Sequence, residues 1–212
     1  TFQGDIVLYD QFTQFQTMQV EFDKFANPVE KNGEPYWDYG AHQTWWRIDE
    51  PVPDEWRVDL DNQFGPQRWY VKNAHYLVLP AIKHEPPTPM PMYQHNHYKC
   101  YEVTTGQAMN FPVDLFDQFI GFGTMVLEPV YFCNPCEKWV NGIQYPVEDP
   151  AVHFAVYRID PHPAGRQVTA EDQFVYEMFT AEEAIWLAVP SWKLAAVDEE
   201  QSTWGQVKHL YR

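Results

Sequence analysis

The chain has 212 residues, 45% of them hydrophobic, and carries Lys+Arg 14 against Asp+Glu 30, a formal net charge of −16. That charge argues against a nucleic-acid backbone or an anionic membrane as partner, since both call for a basic face. No apolar run approaches the ~18 residues of a membrane-spanning helix. A start at Thr1 with no apolar leader fits a removed signal peptide, so a secreted, extracellular or cell-surface address is expected.

Taken in chain order, the elements repeat. The first unit, residues 1–49, opens with an alternating strand, DIVLY, followed by Asp10-Gln11-Phe12 and a second strand, MQVEF. Pro28, Lys31 and the turn dipeptide Asn32-Gly33 come next, and HQTWWRI at 42–48 closes the unit. The second unit, 50–104, repeats the order: WRVDL, then Asn62-Gln63-Phe64, AHYLVL, Pro80, Lys83, and the closing strand HYKCYEV at 97–103. Its proline-rich stretch 83–94, KHEPPTPMPMYQ, reads as a long extended loop rather than a domain linker. The third unit, 105–160, runs FPVDLF, the DQF at 117–119, TMVLEPVYF, then FCNPCEKWVNG with Pro135 and Lys138, and closes with HFAVYRI at 153–159. The fourth, 161–212, has DQF at 172–174, EAIWLAV, Pro190, Lys193 and a terminal VKHLYR. Only Thr180–Ala184 hints at helix.

The markers keep one spacing. Phe12, Phe64, Phe119 and Phe174 are separated by steps of 52, 55 and 55, and so are Pro28, Pro80, Pro135 and Pro190, and the lysines after them. The closing strands align on Trp46, Tyr101, Tyr157 and Tyr211, which places His42, His97 and His153 in one slot, with Val207 in the fourth copy. Four tandem repeats of about 50–55 residues, roughly three strands each, predict an all-β fold of sandwich or propeller type.

The set DQF, CNPxxK, NG and HFxCYxI resembles an uncharacterised family of secreted bacterial and archaeal β-repeat proteins that carry tandem copies of a domain of unknown function. The resemblance covers most of the chain, best over 97–159. It implies an extracytoplasmic address, no known activity, and disulfide bonding between the CNP and CY positions. In this sequence the slots matching Cys133 hold Ala26, Val78 and Ala188, and those matching Cys100 hold Trp45, Val156 and Leu210. The bridge implied by the resemblance therefore falls to Cys100 with Cys133, across two units. The count of three cysteines leaves Cys136 as a free thiol or one available to a neighbouring subunit.

Candidate chemistry is thin. Cys133-Asn-Pro-Cys136 could be a redox motif, but such motifs set a thiolate at a helix N-terminus, and here the context reads as strand, with Asn, Pro, Glu and Lys recurring without cysteine at 27–31. His95 and His97, joined by His84, could hold zinc, yet His97 occupies a repeated slot and reads as structural. Asp59, Asp61 and Asn62 lack the further ligands and glycine of a calcium loop, although the acidity leaves room for a surface calcium. The two serines, Ser191 and Ser202, and the lack of a glycine-rich phosphate loop leave no catalytic set, cofactor or metal centre to name. The expectation is a structural protein that assembles with itself into a filament, tube or surface layer, with the terminal segments TFQGDIVLY and QVKHLYR as exchangeable edges. A carbohydrate-binding, lectin-like module using some of the 17% aromatics is the alternative, and a secreted enzyme comes third.

Overall fold

A computed structural model describes residues 1–35 and 38–194. It is all-β. The strands are β1 (Phe2–Tyr9), β2 (Gln14–Ala26), β3 (Glu30–Lys31), β4 (His42–Glu50), β5 (Trp56–Asn62), β6 (Gly65–Glu85), β7 (His97–Thr105), β8 (Phe111–Phe116), β9 (Gly121–Val140), β10 (Ile143–Tyr145), β11 (Val152–Glu171) and β12 (Tyr176–Lys193). They form one continuous, mainly sequential antiparallel sheet, neither a two-sheet sandwich nor a set of separate propeller blades. Thr180–Ala184 lies inside β12, paired with β11; the ladder overrides the weak local helical preference.

The backbone of the fold is a row of seven antiparallel strands, β2–β4–β6–β7–β9–β11–β12. Each closing strand sits between the long strand of its own unit and that of the next. The registers repeat at the sequence spacing: Trp46 faces Leu77, Tyr101 faces Phe132, and Tyr157 faces Leu187. The strand that closes one unit and the strand that opens the next merge in β11, where register shifts between Arg158 and Arg166 and a positive φ at Gly165 take up the bend.

The sheet has two buried faces because residues alternate along each strand. Trp46, Leu77, Tyr101, Phe132, Tyr157 and Leu187 belong to the larger cluster, over which the DQF hairpins fold. Trp45, Tyr76, Val78, Cys100, Cys133 and Val156 belong to a smaller cluster on the opposite face. The row curls back on itself. Phe22 of β2 comes within 4.9 Å of Phe179 of β12, and Trp45 within 5.8 Å of Trp186.

Pro28 lies just past the end of β2, but Pro80, Pro135 and Pro190 lie within the long strands β6, β9 and β12. On β6 the ladder to β7 stops at Val78 and the ladder to β11 begins at Ile82, so Pro80 falls in the gap. On β9 the ladder to β11 stops at Cys133 and that to β1 begins at Glu137, leaving Pro135 between them. A residue with no N–H is tolerated where the ladder changes partners.

A candidate assembly site at the open seam

The site is built from the repeated hairpins. In each DQF turn the first residue caps the backbone: Asp10 Oδ1 accepts from Phe12 and Thr13 N–H, Asn62 Oδ1 from Phe64, Asp117 Oδ1 from Phe119 and Ile120, and Asp172 Oδ1 from Phe174 and Val175. These are Asx turns, for which Asp and Asn are suited. The rest of the cap side chain reaches the closing strand of another unit. Tyr101 OH donates to Asp10 Oδ2 at 2.9 Å, Asn62 Nδ2 donates to Tyr157 OH at 3.0 Å, and Trp46 Nε1 donates to Asp172 Oδ2 at 2.8 Å. The phenylalanines follow the same rule. Phe12 meets Tyr101, Phe64 meets Tyr157 and Phe174 meets Trp46, each edge-on with ring centroids 5.2 Å apart. The four phenylalanines are half-buried rather than fully buried, because the hairpin tips lie over the sheet instead of within it.

The repeated lysines close the same joints. Lys83, Lys138 and Lys193 donate to Gln118, Gln173 and Gln11 of other units' hairpins and lie over Phe119, Phe174 and Phe12 at 4.8, 4.8 and 4.5 Å. Burial pushes Lys83 down to about 8 and Lys138 to about 7. The aligned histidines pack beside these lysines. Burial first, and the lysine charge second, lower His42 to about 4 and His97 to about 3, and burial lowers His153 as well. Lys99, outside the repeat pattern, is fully buried between Asp10 at 3.6 Å and Glu50 at 3.0 Å.

The residues with candidate chemistry have structural partners. Cys100 and Cys133 form a disulfide with Cα atoms 3.9 Å apart, joining β7 to β9. Cys136 is a free, fully buried thiol; burial, with Asp10 second, pushes it up to about 12, the reverse of an activated redox cysteine. His84, His95 and His97 go separate ways, to Glu171, to Asp38 and against the Tyr145 ring. Arg57 and Arg68 hold the Asp59 carboxylate. Among the described residues no group of three or more His, Cys, Asp or Glu could hold a metal ion. The proline-rich loop is pinned by Asp38, which accepts from Met92 N–H, and exposes Met90, Met92 and Tyr93.

A second constellation has no counterpart in the sequence reading. Lys24, Tyr76, Tyr131 and Trp186 share one repeat slot and meet on the smaller face. Tyr131 lies 5.3 Å from Tyr76 and 5.1 Å from Trp186, and the Lys24 ammonium sits 4.7 Å from the Trp186 ring. The spacing of 52, 55 and 55 holds here too, but the residue types differ, so no repeated letter marks the slot.

Elsewhere in the row an interior residue has a ladder partner on each side. Tyr76 pairs with Arg47 and Cys100, and Phe132 with Tyr101 and Ala155. At the two ends of the row this fails among the described residues: Phe25 of β2 pairs with Thr44, and Leu187 of β12 with Tyr157, and each has one side open. The open edges face a groove of about 780 Å³ lined by β2 and β12 together with Asp117 and Phe119 of the third hairpin. Tyr211, Val207, the terminal QVKHLYR and the acidic run 198–201 lie outside the described residues. The N-terminal segment is not an open edge, contrary to expectation, since β1 is paired with β2 on one side and with β9 on the other.

A family model described as a repeat of unknown function (DUF7450) matches residues 42–190, more than half of the chain. No curated protein and no solved structure matches.

Proposed function

Because the chain belongs to the DUF7450 family of repeats of unknown function, we propose, from its own geometry, that it is an extracellular structural subunit that assembles with itself into a filament, tube or surface layer through the seam between β12 and β2. The seam is the observation that carries this reading: at Phe25 and Leu187 the edges of β2 and β12 have no second ladder partner among the described residues, and they flank a mainly apolar groove. Unpaired edges are templates for another chain, and strand addition joins main-chain hydrogen bonding to side-chain pockets. Several groups that could have done chemistry support the reading from the other side, since Cys100 with Cys133, His84 with Glu171 and His95 with Asp38 join different units. The disulfide fits an oxidising compartment. Size-exclusion chromatography with light scattering and negative-stain imaging, across salt and calcium, tests it. Ordered multimers are expected, and a strictly monomeric protein at high concentration in every condition overturns it.

A glycan-binding reading has its own observation. A cleft of about 500 Å³ is lined by Tyr76, Tyr131, Arg47, Asp49 and His75, with Val20 and Ile48, a mixture of ring faces and polar groups of the kind that binds sugars. A glycan array separates the two readings.

A further inference from the structure

We propose that two of the repeated joints are sites of covalent cross-linking: the side-chain amine of Lys83 condenses with the carboxamide of Gln118, and that of Lys138 with the carboxamide of Gln173, each forming an amide bond and releasing ammonia. The bonds lie within one chain and stand whether or not copies assemble. They tie β6 to the β8–β9 hairpin and β9 to the β11–β12 hairpin.

Lys83 and Lys138 are buried to 1% and 0% exposure. Each places its amine against the Oε1 of its glutamine and over a phenylalanine ring 4.8 Å away. Among the described residues that neutral carboxamide is the one hydrogen-bond acceptor each amine has, and no carboxylate stands in ion-pair contact with it. An ammonium carries three donors, and a buried charge without a counter-ion is costly. Lys99, also fully buried, meets that cost in the usual way, with Glu50 at 3.0 Å and Asp10 at 3.6 Å. A cross-link at Lys83 and Lys138 removes the charge altogether and leaves a single amide N–H.

The parts of the reaction are in place at both joints. Burial pushes the amines down, Lys83 to about 8 against the pull of Asp117, and Lys138 to about 7 against that of Cys136 and Asp172, so a share of each is the neutral nucleophile at neutral pH. Contact between amine and carboxamide makes the step unimolecular, and the soft terminal torsion of glutamine turns Cδ toward the amine. The amine nitrogen adds to Cδ and the new C–N bond forms. One proton then moves from that nitrogen to the carboxamide nitrogen, the Cδ–Nε2 bond breaks, and ammonia leaves; no oxidant, reductant or co-reactant is consumed. The hairpin's own cap, Asp117 or Asp172, steadies the positive charge on the attacking nitrogen and relays the proton. Each letter of Asp-Gln-Phe thus has a part: proton relay, electrophile and apolar wall. The other two joints lack one. Lys31, which by the same order answers to the second hairpin, is paired with Glu34 at 3.3 Å, and the cap there is the neutral Asn62. Lys193 is half-buried with Gln11 at 2.8 Å, and its cap Asp10 is shared with Lys99. These two stay unlinked.

Tryptic mapping of the reduced full-length protein by mass spectrometry tests this without any substitution. Two branched peptides are expected, one joined at Lys83 and Gln118 and one at Lys138 and Gln173, each lighter than its two linear parts by one ammonia, with no cleavage after either lysine. Lys31 and Lys193 are expected as ordinary cleavage sites. Ammonia lost by ring closure at Asn32-Gly33 or Asn141-Gly142 gives no branched peptide and is told apart in the same map. Lys83 and Lys138 recovered as ordinary tryptic ends from the folded protein overturn the proposal and leave plain hydrogen bonds. Asp117→Asn keeps an Asx turn and is expected to lower the fraction linked at 83–118, while the 138–173 link in the same molecules reports that the chain has folded. An unchanged fraction at 83–118 overturns the part given to the cap.

Discussion

Asp172 shows why a cap can be aspartate in one joint and asparagine in another. Its Oδ1 is committed to the turn, and its Oδ2 faces the indole N–H of Trp46, which can only donate. Asn62 faces the Tyr157 hydroxyl and Ser191 Oγ, which can accept from its amide. Asp172→Asn keeps the turn but sets one donor against another, leaving the indole N–H only its longer bond to Thr44 Oγ1 at 3.2 Å. We expect a loss of about 0.5–1.5 kcal/mol in urea unfolding, with the far-ultraviolet circular dichroism of the folded protein unchanged. The histidine slot predicts acid sensitivity. His42 and His97 have folded pKa values near 4 and 3, below the unfolded value of 6.5. The unfolded chain therefore binds more protons between those limits, and stability falls as pH drops from about 6.5 toward 4. For each histidine, a tenfold difference in proton affinity between the folded and unfolded chain corresponds to about 1.4 kcal/mol. A melting temperature that stays flat from pH 7 to 4.5 would contradict this. The repeated Phe, Lys and closing aromatic are legible in the sequence because each keeps its chemical type. The reach of each cap into another unit is not, because a hydrogen bond between residues 126 positions apart, as from Trp46 to Asp172, leaves no local pattern.

At the scale of strands, the disulfide ties β7 to β9 and closes a separation of 33 residues. A loop of that length restricts the unfolded chain enough to contribute about 3–4 kcal/mol. The Cys100→Ala/Cys133→Ala double variant should lose about that much in chemical denaturation, and a loss below about 1 kcal/mol would show that the unfolded chain is already restrained. Cys136 should stay unmodified by iodoacetamide in the folded protein, since it is fully buried. The strands themselves are readable from alternation, but their lengths are not. Long strands such as β6 and β9 run through their prolines because the ladder changes partners there, a tertiary circumstance that no proline in a sequence announces. Likewise β11 fuses the end of one unit with the start of the next, since Pro161 and Pro163 fall among its register shifts rather than in a turn.

For the whole molecule, charge sets the conditions of assembly. Every copy carries a formal −16, so bringing copies together costs electrostatic free energy that a groove lined mainly by apolar side chains must offset. Salt shortens the reach of that repulsion: the screening length is about 10 Å at 0.1 M and about 3 Å at 1 M. Apolar contacts in the seam are not weakened by this, and excluded salts strengthen them. Multimers should therefore grow as sodium chloride rises from about 20 mM to about 500 mM. Calcium should act at much lower concentration by binding exposed carboxylates on facing copies, without requiring a built site. An interface held by surface ion pairs would respond in the opposite sense and dissolve with salt. Light scattering across a sodium chloride series, with a parallel series at constant ionic strength in which calcium replaces sodium, distinguishes these cases. Dissociation with rising salt would place the joint on charged surfaces instead of in the β12–β2 seam.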